Sequence, residues 1–206
     1  MHATSTLAPA ATAKALSTGH SVWRTSIRFT LVTALLLGVG YPLVVTGIAQ
    51  LVFPKQAGGS LILKDGQVIG SELLAQSFTS DRYFHPRPSA AGNGYDATAS
   101  GGSNLAQSNK ALVTRMQGEI DKLAAENPGK PVPIDLVTTS GSGLDPDITP
   151  DSAFYQVSRV AKARNLSEES LRELVEQHIA SRQLGVLGEP RVNVLLLNLD
   201  LDKLAK

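Results

Sequence analysis

The sequence predicts a small α+β extracytoplasmic domain tethered to a membrane by one N-terminal transmembrane α-helix. One long uncharged apolar segment lies near the N-terminus, and the rest of the chain mixes strand-like and helix-like apolar patterns. The length of 206 residues leaves room for one domain beside the anchor. The chain contains no cysteine, which excludes disulfides, thiol catalysis and thiolate metal sites.

The predicted anchor covers residues 29–53, which are 25 residues without a charge and long enough to cross a hydrocarbon core of about 30 Å. Arg24 and Arg28 precede it and Lys55 follows it, so the positive-inside rule places the N-terminus in the cytoplasm and residues 56–206 outside. A cleaved signal peptide would have a shorter apolar region, and a soluble core helix would have to hide the segment on all sides. The leader, residues 1–28, is rich in Ala, Ser and Thr and is predicted to be disordered.

Small residues within the anchor suggest a contact with another helix. Ala34 and Gly38 form a pair of small residues four apart, which lets a second helix approach closely. Pro42 removes a backbone hydrogen bond in mid-span and is expected to kink the helix. The alternative is that glycine and proline are simply commoner in membrane helices than in soluble ones.

After the anchor, the sequence predicts a β-hairpin and then a long loop. Residues 61–63 and 68–69 are apolar and flank an Asp65-Gly66 step, which is a strong hairpin signal. Residues 79–104 hold two prolines and four glycines, and a loop of this length is usually functional or disordered. The aromatic side chains of Tyr83, Phe84 and Tyr95 argue against disorder.

Three helices and two strands are predicted in the remainder of the domain. The first helix is expected to start after a cap at Ser103 or Asn104 and to end at residues 127–129, and residues 134–139 are expected to form a strand. Thr149 and Pro150 open the second helix, whose buried stripe is predicted as Ala153, Val157 and Val160. Gln156 and Arg159 are expected on a different face, available to a partner.

The third helix is predicted to begin after a Ser167 cap and to end at Gly185 and Gly188, with Glu168 and Glu169 in its first turn. Residues 191–201 are then expected to form a central strand, because their middle is continuously apolar. The predicted apolar face of the third helix comprises Leu171, Leu174, Val175 and Ile179.

Candidate catalytic and metal-binding groups do not assemble into a known pattern. The domain is nearly neutral and has no basic stripe, so nucleic acid is not expected as a partner. His85 and His178 lack the spacing of a histidine metal site, and His178 is expected to be a partly buried histidine with satisfied hydrogen bonds.

Two rival functions are left open by the residues alone. An anchored envelope hydrolase would use Ser142, which lacks the G-x-S-x-G spacing, or the acids Asp145 and Asp147, which lack a calcium-loop pattern. A solute-binding module would use the amides of residues 100–104 at the start of a helix, although no Walker pattern accompanies them.

Four segments in a fixed order resemble a known family. They are residues 83–90 (YFHPRPSA), 99–105 (ASGGSNL), 140–148 (SGSGLDPDI) and 155–161 (YQVSRVA), and they follow a single N-terminal span. In this order they resemble the C subunit of the Kdp potassium-transporting P-type ATPase over roughly residues 24–201.

The resemblance implies a bacterial inner-membrane complex that imports potassium with high affinity using ATP. A channel-like A subunit would carry the ion, a B subunit would hydrolyse ATP, and a small F subunit would help to hold them together. The C subunit would be non-catalytic, supporting assembly and acting as a catalytic chaperone for ATP use by the B subunit. No cofactor or metal of its own is implied, since ATP and potassium are handled by the complex.

The resemblance also implies site residues. It suggests that the glutamine matching Gln156 contacts nucleotide, whereas the charges around the anchor predict that Gln156 lies a bilayer away from cytoplasmic ATP. We therefore expect effects on ATP use to pass through subunit contacts, with the exported domain over the channel entrance. The predicted partner contacts are Ala34, Gly38, Pro42, Tyr83, Phe84, His85, Arg87, Gln156 and Arg159, and membrane lipid is expected around the anchor.

Overall fold

A computed structural model describes residues 19–204, and the chain divides into two compact units, residues 1–57 and 58–206. The first unit is helical: α1 (Gly19–Leu35), a π-helical turn (Leu36–Gly40), α2 (Tyr41–Val52) and the short α3 (Pro54–Ala57). Residues 1–18 of the predicted leader lie outside the described residues. Residues 19–28 are helical, so the prediction of a disordered leader is wrong for that part and the helix begins well before residue 29.

One helix among the described residues, Val22–Val52, is long and apolar enough to cross a membrane, with a mean hydropathy of 2.0. Pro42 cannot donate the hydrogen bond that an α-helix requires of it. Just before it, the N–H of Tyr41 bonds to the carbonyl of Leu36, five residues back, which makes the π-helical turn. The predicted disturbance at Pro42 therefore takes the form of a π-helical turn that ends two residues before the proline.

The second unit begins with the predicted hairpin. Strands β1 (Leu61–Lys64) and β2 (Gln67–Ser71) pair antiparallel, with a bulge between Ile62 and Leu63. Asp65 and Gly66 both have positive φ, 53° and 79°, as a two-residue type I′ connection requires. The hairpin prediction is confirmed.

Helices and a small sheet form the body of this unit. Its helices are α4 (Lys110–Glu126), α5 (Pro150–Arg164), α6 (Glu168–Gln177) and α7 (Val194–Leu204). A three-stranded antiparallel sheet has the order β3 (Asp147–Ile148), β5 (Arg191–Asn193), β4 (Ile179–Ala180). The unit is thus mixed helix and sheet. Its core cluster of buried apolar residues is Phe84, Ile148, Ala153, Val157, Val160, Ala161, Leu171, Leu174, Val175, Val192, Val194, Leu197 and Leu201.

Helices α5 and α6 confirm their predicted starts and faces. The side chain of Thr149 accepts a hydrogen bond from the N–H of Ser152, and that of Ser167 accepts one from Ser170. The predicted buried residues of α5 and three of the four of α6 are buried; Ile179 is partly buried. The predicted end of the third helix near Gly185 is wrong, because α6 stops at Gln177 and Ile179 pairs instead with Val192 of β5.

Three other predictions are wrong. Helix α4 begins at Lys110, capped by Asn109, because the Asn109 side chain rather than Ser103 or Asn104 accepts from a first-turn amide. Residues 134–139 form no strand: Ile134–Leu136 is a 3₁₀-helix, and the N–H groups of Val137 and Thr138 bond to the nearby Ile134 carbonyl instead of to another strand.

The predicted strand 191–201 is the third wrong prediction, since it stops at Asn193 and α7 follows. The buried residues Val194, Leu197, Asn198 and Leu201 recur at the three- and four-residue spacing of a helix. The side chain of Asn193 accepts a hydrogen bond from the N–H of Leu196, which caps the new helix.

Candidate functional site

Residues 81–85, named here the clamped segment, lie outside helix and strand yet are bound along their whole length. The segment carries three of the predicted contact residues, Tyr83, Phe84 and His85. Each of its five backbone carbonyls accepts a hydrogen bond from a side chain of α5 or α7. Buried backbone groups need such partners, and here side chains supply what a neighbouring strand would otherwise provide.

Asn198 of α7 binds both backbone groups of Phe84. Its Oδ1 accepts from the Phe84 N–H at 2.9 Å, and its Nδ2 donates to the Phe84 carbonyl at 2.9 Å. Asn198 is 2% exposed and the Phe84 side chain is fully buried in the core cluster. The amide therefore fixes the depth at which the Phe84 ring enters the core.

Gln156 of α5 binds the next residue in the same manner. Its Oε1 accepts from the His85 N–H at 2.7 Å and from Arg159 Nη2 at 2.7 Å. Its Nε2 donates to the carbonyls of His85 at 3.1 Å and Ser152 at 3.2 Å. A glutamine amide has two acceptor and two donor positions, so all of its hydrogen-bonding capacity is used inside this chain.

Two arginines of α5 bind the first part of the segment. Arg159 Nη1 donates to the carbonyls of Asp81 at 2.9 Å and Tyr83 at 3.1 Å. Its side chain is 9% exposed, and its Nε lies 3.3 Å from the Glu126 carboxylate in an ion pair without a hydrogen bond. Burial lowers the pKa of Arg159, and the negative charges of Glu126 and Asp81 oppose that shift. The guanidinium stays charged, because an arginine side chain does not lose its proton inside a protein.

Arg164 completes the set and positions Tyr83. Its Nε donates to the carbonyl of Arg82 at 2.6 Å, and its Nη2 donates to Asp202 at 2.7 Å. The guanidinium lies 4.7 Å from the centre of the Tyr83 ring, whose hydroxyl donates to the same carboxylate at 3.3 Å. The ring is thus held by a stacked cation and a hydrogen bond.

The His85 ring lies between a backbone carbonyl and the Arg159 guanidinium, whose Nη1 is 3.5 Å from Nε2. Its Nε2 lies 3.0 Å from the carbonyl of Ser80, which only accepts, so Nε2 carries the proton. Burial lowers the pKa of His85, and the nearby charge of Arg159 lowers it further.

The structure therefore brings together five predicted residues: Tyr83, Phe84, His85, Gln156 and Arg159. The expectation that Gln156 lies on an available face is wrong, because it is 2% exposed and the side chain is bound on all sides by its own domain. That these residues contact a partner stays a prediction. Sequence reasoning missed Asn198 and Arg164, although a lone polar residue in the apolar run LLLNL was a signal for Asn198.

The other predicted contact residues lie elsewhere. Arg87 forms an ion pair with Asp145 at 3.1 Å, and Tyr95 donates its hydroxyl to the Arg87 carbonyl at 2.8 Å. Ala34, Gly38 and Pro42 belong to the first unit, where a Cβ added at Gly38 would meet nothing within 4 Å.

The loop around Ser142 binds two of the other segments that carry the resemblance, residues 83–90 and 99–105, and its serine is engaged within the loop. The Ser142 hydroxyl accepts from the N–H of Leu144 at 3.1 Å, and its carbonyl accepts from Gly101 N–H at 2.8 Å and Ser100 Oγ at 3.0 Å. Ser89 donates to the carbonyl of Gly143 at 2.6 Å. The expected helix start beside residues 100–104 is wrong, since α4 begins at Lys110, and the Gly101 amide binds this loop instead.

The acids and the second histidine also have partners within the domain. Asp147 pairs with Arg191 at 3.0 Å, and burial raises the pKa of its carboxyl while Arg191 opposes the shift. His178 contacts Asp200 through Nε2 at 3.0 Å and the Leu174 carbonyl through Nδ1 at 2.9 Å, as expected of a satisfied histidine. Between residues 19 and 204, no group of three or more His, Asp or Glu side chains could hold a metal ion.

Comparison with known proteins gives one consistent result. A family model described as KdpC, the K⁺-transporting ATPase c chain, matches residues 23–203. The potassium-transporting ATPase KdpC subunit of Acidobacterium capsulatum is 56% identical over 182 residues, covering 88% of this chain and 97% of the relative. The KdpC subunit of Koribacter versatilis is 55% identical, covering 86% and 92%, and that of Bradyrhizobium diazoefficiens is 54% identical, covering 88% and 96%.

Proposed function

Because the chain belongs to the KdpC family of K⁺-transporting ATPase c chains, we propose that it is the non-catalytic accessory subunit of an ATP-driven, high-affinity potassium import complex. In this proposal a channel-like A subunit carries the ion, a B subunit hydrolyses ATP and a small F subunit stabilises the assembly. The chain supports that assembly and acts as a catalytic chaperone for ATP use by the B subunit.

The apolar helix is proposed to span the bacterial inner membrane with the N-terminus in the cytoplasm. The positive charges of Arg24 and Arg28 before the span, against Lys55 alone after it, support this orientation. The second unit is then extracytoplasmic. Ala34 and Gly38 are proposed to face a helix of another subunit, and the open space around Gly38 is consistent with a close approach.

The hydrogen-bonding positions of the Gln156 side-chain amide are all occupied within the domain, which supports an indirect effect of this chain on ATP use. A nucleotide could gain a hydrogen bond from this amide only by displacing His85, Arg159 or Ser152, each of which is bound inside the domain. A displaced and buried partner would be left unsatisfied, which is costly. We propose instead that Gln156 fixes the clamped segment and that the segment presents its exposed residues, such as Asp81 (side chain 77% exposed), to a partner subunit.

A comparison of two variants in the assembled complex tests this proposal. Gln156→Leu and Asn198→Ala both loosen the clamped segment, but only the first removes the suggested nucleotide contact. The complex is purified in mild detergent through a tag on this chain, its other chains are identified, and potassium-stimulated ATP hydrolysis is measured against ATP concentration.

We expect the wild-type chain to recover the other ATPase chains, and the two variants to change the KM for ATP alike. A raised KM in Gln156→Leu with no change in Asn198→Ala would show direct nucleotide contact and overturn the indirect route. Failure of the wild-type chain to recover any ATPase chain would overturn the proposed function.

A further inference from the structure

The π-helical turn before Pro42 leaves one backbone acceptor of the apolar helix without its usual donor. In an α-helix the carbonyl of Leu37 accepts a hydrogen bond from the N–H of residue 41. Here the N–H of Tyr41 bonds to the carbonyl of Leu36 instead. A π-helical bond to Leu37 would come from residue 42, which is proline and has no N–H. The Leu37 carbonyl therefore receives neither an α-helical nor a π-helical hydrogen bond.

The side chains near this turn do not replace the missing bond. Two hydroxyls lie within one turn of Leu37, those of Thr33 and Tyr41. Thr33 Oγ1 donates to the carbonyl of Phe29 at 2.7 Å, which uses its single proton. The Tyr41 hydroxyl is at the far end of a rigid ring and cannot fold back onto a carbonyl of its own helix one turn earlier. A donor for Leu37 must therefore come from outside the described chain.

Leu37 lies deep within the apolar segment. It is the ninth of the 25 uncharged residues 29–53. A straight helix places it about 12 Å from the start of that segment and about 24 Å from its end. The hydrocarbon core of a membrane holds no water that could bond to an unpaired carbonyl, so such a group is costly there. A helix that crosses a membrane with this turn in it needs a partner at Leu37.

The surroundings of Leu37 decide what kind of partner fits. Lipid acyl chains have neither N–H nor O–H groups, so they cannot donate to a carbonyl. A buried water molecule needs two or more polar partners, whereas residues 35–40 read LLLGVG and offer no polar side chain. A hydroxyl or carboxamide side chain of a neighbouring helix is the donor that remains.

Two glycines leave room for that donor to approach. The side chains three and four residues further on flank a carbonyl on a helix surface, and the residue three further on from Leu37 is Gly40. A Cβ added at Gly40 would meet only the Leu35 carbonyl, at 3.6 Å, and a Cβ added at Gly38 would meet nothing within 4 Å. A partner helix can therefore come close to the backbone at the level of this carbonyl.

We infer that the Leu37 carbonyl accepts a hydrogen bond from a Ser, Thr, Asn or Gln side chain on a membrane-spanning helix of another ATPase chain. The inference rests on the proposed function, because it requires that the helix crosses the membrane and that the chain assembles. It names the chemical group that the partner presents to the face containing Ala34 and Gly38. A second copy of this chain fits less well, because residues 35–40 of its helix carry no hydroxyl or carboxamide.

Two replacements of Pro42 that differ by one N–H group test the inference. Pro42→Leu supplies an N–H, so the helix can become regular and both Leu37 and Gly38 can be bonded within the chain. The α-hydroxy analogue of leucine, introduced at position 42 by nonsense suppression, has the same side chain and no ring but also no N–H. One carbonyl of this turn is then still left for a partner.

Association is measured in the full complex, purified in mild detergent through a tag on this chain and then diluted. We expect Pro42→Leu to bind the other ATPase chains about threefold to twentyfold more weakly, the effect of one interhelical hydrogen bond. Amide hydrogen exchange around residue 42 should become slower in the same variant, because the regular helix is the more stable one. The α-hydroxy variant should associate like the wild type.

Equal association of the two replacements would overturn the inference. If both match the wild type, the carbonyl is not used, and if both are equally weakened, the proline ring matters and the carbonyl does not. The inference is also wrong if Pro42→Leu reduces only the recovery of a second, differently tagged copy of this chain. In each of these cases the wild-type chain still recovers the other ATPase chains and the proposed function stands, whereas recovery of none of them by the wild type would contradict that function itself.

Discussion

Gln156 on α5 and Asn198 on α7 bind the backbone of two consecutive residues, His85 and Phe84. Both amides are 2% exposed, and each both accepts from an N–H and donates to a carbonyl of the same residue. Side chains of two helices thereby supply to an irregular segment the backbone hydrogen bonds that neighbouring strands supply to a strand in a sheet. The position of Tyr83 to His85 is consequently set by α5 and α7, not by local secondary structure.

Replacing Asn198 by alanine should destabilise the chain strongly. The N–H and carbonyl of Phe84 would both lose their partner in a buried setting, for a loss of about 2–4 kcal/mol in the free energy of unfolding. Urea unfolding of the detergent-solubilised chain, followed by circular dichroism, measures this. Gln117→Ala, which removes only an exposed contact with Asp121 on α4, should stay within about 0.5 kcal/mol of the wild type. A similar value for both variants would refute the role of the buried amide.

Gly143 should not tolerate a side chain, whereas Gly141 two residues earlier should. A Cβ at Gly143 would lie 2.6 Å from the Gly101 carbonyl and 2.7 Å from the Ala91 nitrogen, at a φ of 66°. Gly143→Ala is therefore expected to cost about 3 kcal/mol or more. Gly141→Ala meets nothing within 4 Å and should change stability by less than about 1 kcal/mol. The same unfolding assay compares the pair, and equal effects would contradict the packing of the Ser142 loop.

His85 should make the domain less stable in acid. Burial first, and then the charges of Arg159 and Lys122, lower its folded-state pKa below the ordinary histidine value of 6.5, while the hydrogen bond with the Ser80 carbonyl and the charge of Asp81 oppose the shift. Below pH 6.5 the unfolded chain binds the proton more readily than the folded chain, so the free energy of unfolding falls as the pH falls from there. His85→Gln should flatten this dependence in unfolding measured between pH 7 and 5. A variant that keeps the full slope would assign it to other groups.

Gly38 should matter for assembly and not for the helix that contains it. Because a Cβ at Gly38 meets nothing within 4 Å, Gly38→Leu should leave the helix content of the chain unchanged. A leucine would nevertheless hold a neighbouring helix away, and we expect severalfold lower recovery of the other ATPase chains in a pull-down. Gly47→Leu, at a glycine equally open but outside the Ala34–Gly38 pair, is the matched control. Equal recovery by both variants would remove this face as a docking site.

The sequence predicted the parts of the fold whose signals are local. The Asp65-Gly66 turn and the Thr149 and Ser167 caps depend on one or two side chains bonding to their own neighbourhood, and all three were found. The prediction of a strand over residues 191–201 was wrong because an apolar run of this kind fits either a buried strand or a buried helix. The choice was made by the Asn193 cap and by the core, which buries residues at helical spacing.

The site shows the same division between local and distant signals. The order of the motifs drew attention to residues that the structure brings together, Tyr83 to His85 with Gln156 and Arg159. It could not show that Gln156 faces inward, since a glutamine on a helix is ordinarily exposed and its partner His85 is 71 residues away. Asn198, 114 residues from Phe84, has no local signal beyond its polarity.

The long sequence separations within the clamped segment bear on how the domain folds. The amides of Phe84 and His85 find their acceptors only once α7 and α5 are in place, so we expect the segment to be among the last parts of the domain to order. In the folded domain, the amide hydrogens of Phe84 and His85 should exchange with solvent only when the clamped segment separates from α5 and α7. Residues that look like a loop should therefore show hydrogen-exchange protection close to that of the core helices.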